Sequence, residues 1–103
     1  MKIFLVTSDE DTLAGLRLAG VDGALVSSED EFLSQLSSAV SDSETGVLFI
    51  GSSLAEKYPH VLTSLRENTG TVITEIPDMN SGGRKSSVAA YVKNTVGILT
   101  DGN

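Results

Sequence analysis

Three short apolar runs are spaced along the chain, "KIFLVT" (Lys2–Thr7), "GVLFIG" (Gly46–Gly51) and "TVITEI" (Thr71–Ile76), with helix-patterned segments between them. The middle run holds four consecutive large apolar residues, Val47 to Ile50, with no polar alternation, as expected of a strand buried on both faces. Strands of that kind pair in parallel. Parallel neighbours need a connection long enough to hold a helix, and that crossover is right-handed.

The intervening segments supply those helices. After Lys2–Thr7, Leu13, Leu16 and Val21 fall at near-helical spacing, and Gly20 is a natural stop. "ALVSS" (Ala24–Ser28) reads as a second strand. Ser28 and Glu31 have capping-box spacing ahead of the stripe Phe32, Leu33, Leu36 and Val40. Ser53 and Glu56 repeat that spacing ahead of Val61, Leu62 and Leu65, where Pro59 predicts either a kink or a fresh helix start. In "TVITEI", alternation puts Val72, Thr74 and Ile76 on one face. From Asp78 the texture turns polar and glycine-containing, "DMNSGGRKSS", and reads as a flexible loop. Val88, Val92 and Val96 then recur at i, i+4 and i+8, with Tyr91 and Leu99 alongside, the pattern of an amphipathic helix.

The expected fold class is therefore α/β: a small doubly wound, Rossmann- or receiver-like parallel sheet of about four strands with flanking helices and a carboxy-terminal amphipathic helix. The expected organisation is one domain, with an α/β body over 1–77, a flexible loop over 78–87, and a helix and tail over 88–103. A chain of 103 residues is long enough to bury roughly 60–70% of its unfolded surface around a single core.

Charge narrows the partners. Seven Lys and Arg against fourteen Asp and Glu give a net charge of -7, which repels nucleic-acid phosphates and anionic lipid. The chain has no cysteine, so it has no disulfides, thiolate nucleophiles or thiolate metal sites. Acids follow the first apolar run too soon for a signal peptide, and no apolar run approaches a spanning length, so a cytoplasmic setting is expected.

The chemistry-bearing candidates are few. Asp9, Glu10 and Asp11 lie just past the first strand, where ligands bind in open α/β sheets. A phosphorylatable receiver would need an acceptor aspartate at the end of the third strand, and that end reads "LFIGSS". No glycine-rich turn follows the first strand to cradle a dinucleotide, and "GGRKSS" (Gly82–Ser87) is only a fragment of a phosphate loop. Its Arg84 and Lys85 read as solvated cations beside a helix-capping Ser86 or Ser87. His60 stands alone without a zinc set, and Ser52 and Ser53 lack the G-x-S-x-G elbow, so they read as helix caps. Acids in a first helical turn complement the helix dipole, which makes Asp9 to Asp11 a charged helix entry, with Ser8 or Asp9 as cap. Two other readings stay open, a degenerate signalling receiver acting through protein contacts and a small metal-dependent enzyme.

The run "DEDTLAGLRLAGV" (Asp9–Val21) resembles the amino-terminal signature of the F subunits of V-type and archaeal A-type rotary ATPases. "GVLFIGSSLAEKYPHVLTSLRE", "TVITEIPD" and "VAAYVKNTVGIL" resemble later segments of that family in the same order, so the likeness covers nearly the whole chain. The chain departs from the pattern at Thr7-Ser8-Asp9, where the family often has Ile-Gly-Asp, and at Leu16, where phenylalanine is common. The resemblance implies a noncatalytic component of the central rotor stalk. It implies binding to the stalk's coiled-coil D subunit inside the A/B catalytic ring, and a part in coupling ATP turnover to proton or sodium transport. It also implies a location on the cytoplasmic side, peripheral to the membrane, with no cofactor and no catalytic or metal residues. The residues expected to meet the partner are Arg17 and the carboxy-terminal stripe Val88, Tyr91, Val92, Val96 and Leu99, a stripe that would serve equally to cover the sheet.

Overall fold

The computed structural model describes residues 1–80. Its elements run β1 (Lys2–Thr7), α1 (Glu10–Leu18), β2 (Asp22–Leu25), α2 (Glu29–Ser41), β3 (Thr45–Gly51), α3 (Ser52–Lys57), α4 (Pro59–Asn68) and β4 (Val72–Ile76). The four strands form one parallel sheet in the order β2-β1-β3-β4. The reversal of direction between β1→β2 and β2→β3 is the mark of a doubly wound α/β fold. The helix and tail expected over residues 88–103 lie outside the described residues, as does the expected loop from residue 81 to 87.

Burial alternates along the central strands as the pleat requires. Val6, Leu48 and Ile50 turn to one face, where they join Phe32, Leu36 and Ala39 of α2, Leu54 and Ala55 of α3, Leu62 of α4 and Ile73 of β4 in one buried cluster. Leu5 turns to the other face and is also fully buried, against Leu13 of α1 and the backbone of Gly23. Helices therefore cover both faces. β4 lies at an edge; its core contact is Ile73, while Val72 is 58% exposed. The face shared by Val72, Thr74 and Ile76 is thus the one turned away from the main core.

Local chemistry explains most boundaries. α1 ends in a Schellman turn: Gly20 takes φ 91, its N–H donates to Arg17 O at 3.0 Å, and Val21 N–H donates to Leu16 O at 2.9 Å. Only glycine adopts that backbone without strain. Ser28 caps α2 by accepting from Glu31 N–H, and the Glu31 carboxylate reaches back to Ser27 N–H and Oγ. These bonds hold the Glu31 carboxyl below its ordinary value. Pro59 resolves the kink-or-restart alternative as a restart. Tyr58 closes α3 and precedes α4, and Pro59 takes the first-turn position, where its missing N–H is harmless.

Two sequence expectations shift. The second strand is Asp22–Leu25 rather than Ala24–Ser28, because Gly23 lets this strand approach Leu5 closely. The extended chain still continues to Val26, whose N–H donates to Thr7 O at 2.9 Å. Ser53 and Glu56 do not form a capping box: Gly51 occupies the cap position of α3, and the Ser53 N–H is taken by a carboxyl from elsewhere in the chain.

Candidate functional site

The carboxyl ends of β1, β3 and β4 meet the start of α1, and the polar side chains of the body concentrate there. Asp9 occupies the cap position of α1 but makes no side-chain bond to the helix backbone. Its Oδ2 accepts instead from the Thr12 hydroxyl at 2.7 Å and from the Asn80 N–H at 3.0 Å, while Oδ1 accepts from Asn80 Nδ2 at 3.0 Å. Asp11 accepts from the same Asn80 amide at 2.6 Å. Thr12 is nearly buried, and its hydroxyl oxygen also accepts from Met79 N–H at 2.9 Å. Burial alone would push the Asp9 carboxyl up, but the donors from Thr12 and Asn80 outweigh it and hold the group below its ordinary value.

Beneath this layer lies Asp78, which is fully buried. Its Oδ1 accepts from Thr7 Oγ1 at 2.7 Å and its Oδ2 from Ser53 N–H at 3.0 Å, while its own N–H donates to Ser52 Oγ at 3.2 Å. The Thr7 hydroxyl oxygen in turn accepts from Asp9 N–H at 3.1 Å. Gly51 makes room for the arrangement, since a Cβ there would stand 2.5 and 2.6 Å from the Asp78 oxygens and 2.7 Å from Thr7 Oγ1. Among the described residues no buried side-chain nitrogen or oxygen lacks a partner. An acid–base mechanism needs a group within reach of a substrate proton, and a metal needs converging ligands with free lone pairs. Here Asp9 and Asp78 accept from the chain itself on both carboxyl oxygens, and Asp11 on one. No group of three or more His, Cys, Asp or Glu among the described residues is placed to hold a metal ion.

Asp9 and Asp11 therefore do begin the helix, as adjacent acids at a helix entry should, but they also bind the chain that leaves β4. Sequence reasoning missed Asp78 and Asn80, placing both in a polar loop. The signal that marks Asp78 is its position: a lone acid directly after the Ile-Pro end of a strand that neighbours β3.

Arg17 lies apart from this cluster. It sits exposed in the last turn of α1, at the opposite end of the sheet, with one long 3.3 Å bond to Gly23 O. Val88, Tyr91, Val92, Val96 and Leu99 lie outside the described residues. On the other face of the sheet, α2 and α4 border an apolar groove of about 510 Å³ lined by Leu33, Leu36, Val40, Val61 and Leu65, with His60 on its wall. No helix among the described residues is long and apolar enough to cross a membrane.

A search of curated protein sequences gives no match to the chain. A sequence model of one family does match, over residues 4–94, which takes in most of the first strand and the rest of the sheet, the clustered polar end and Arg17. On that match, and with the α/β parallel sheet beside it, the chain belongs to the ATP synthase (F/14-kDa) subunit family.

Proposed function

We propose that this protein is the F subunit of the central stalk of a V- or A-type rotary ATPase, binding the coiled-coil D subunit of that stalk and helping couple ATP turnover to proton or sodium transport. The observation that carries the reading is the family match across residues 4–94. Asp78, the buried carboxyl at the polar end of the sheet, accepts from Thr7 and Ser53 of the chain itself, which fits a part in holding the fold. The A/B catalytic ring is the expected surrounding, on the cytoplasmic side and peripheral to the membrane. Arg17 and the stripe Val88, Tyr91, Val92, Val96 and Leu99 are the proposed contact residues. An apolar stripe at helical spacing is suited to the groove of a coiled coil.

The test is direct. Mixed with a folded D subunit, the protein is expected to elute from gel filtration as a one-to-one complex. Separate elution of two folded proteins at micromolar concentration would end the proposal.

A further inference from the structure

We draw no further inference here: the strongest candidate, the apolar groove between α2 and α4 lined by Leu33, Leu36, Val40, Val61 and Leu65, carries none because nothing in the structure shows what covers it.

Discussion

Thr7 and Asp78 stand 71 positions apart and share a 2.7 Å hydrogen bond that solvent does not reach, both residues being 0% exposed. The bond joins the end of β1 to the segment leaving β4, which are not neighbouring strands, and it passes over the end of β3 between them. The same hydroxyl accepts from Asp9 N–H, so a single side chain fixes both the start of α1 and the exit of β4.

Thr7→Val removes donor and acceptor together while keeping the shape. Asp78 then has a buried oxygen with no partner, and the expected loss of stability is about 1–3 kcal/mol in urea unfolding. Thr7→Ser retains the hydroxyl and is expected to lose less than half as much. Equal stability of the valine variant and the parent would mean that the Asp78 carboxyl finds another donor.

Gly51→Ala tests the same junction by crowding. The backbone at Gly51 is ordinary extended chain with φ -61, so no strain arises from the conformation itself. The added methyl meets the Asp78 oxygens at 2.5 and 2.6 Å, and one of the two must move. Overpacking of this kind is expected to cost about 1–3 kcal/mol, again read by urea unfolding. The Gly51→Ala, Thr7→Val double variant is expected to fall short of the sum, because both act on Asp78.

The sheet is legible in the sequence because its strands are apolar runs and its helices carry stripes, and both periods survive folding. β1, β3 and β4 lie where Lys2–Thr7, Gly46–Gly51 and Thr71–Ile76 predict them, within a residue. β2 is less legible because it is a four-residue edge strand, Asp22–Leu25, that takes its place from a close approach at Gly23 rather than from hydrophobicity. The polar end of the sheet is legible by half. Asp9 to Asp11 announce themselves as adjacent acids at a helix start, and the helix entry follows from local physics. Asn80 answers Asp9 and Asp11 from 71 and 69 positions away, and a long-range pairing of that kind leaves no local period to read.

Acid should loosen the exit of β4 through Asp9. Its carboxyl titrates below the ordinary 3.8 in the folded chain, because the Thr12 and Asn80 donors outweigh the effect of burial. A lowered folded value means that the unfolded chain binds the proton first as pH falls. The stabilisation is therefore complete well above 3.8 and is lost as pH falls through the depressed folded value. Asp9→Asn is expected to flatten the stability–pH curve in that window and leave its slope near neutrality unchanged, as read by urea midpoints at a series of pH values. An unaltered slope in the acid window would assign the acid sensitivity to other carboxyls.

The proposed binding to the D subunit is tested separately at Arg17 and at Val92. Arg17 is exposed at the end of the sheet opposite the Asp9–Asn80 cluster, and its bond to Gly23 O is long, so Arg17→Ala is expected to change stability by no more than about 0.5 kcal/mol. Any loss of affinity for the D subunit in that variant then reports contact rather than unfolding. Val92→Asp places a charge in the middle of the Val88–Val96 stripe and is expected to weaken the complex by at least about tenfold in calorimetry, since a buried charge without a partner is strongly unfavourable at an interface. Full affinity in Val92→Asp would take the stripe out of the contact with the D subunit and leave covering of the sheet as its role. Full affinity in Arg17→Ala would remove that arginine alone, because the two positions lie on separate segments and their effects should add.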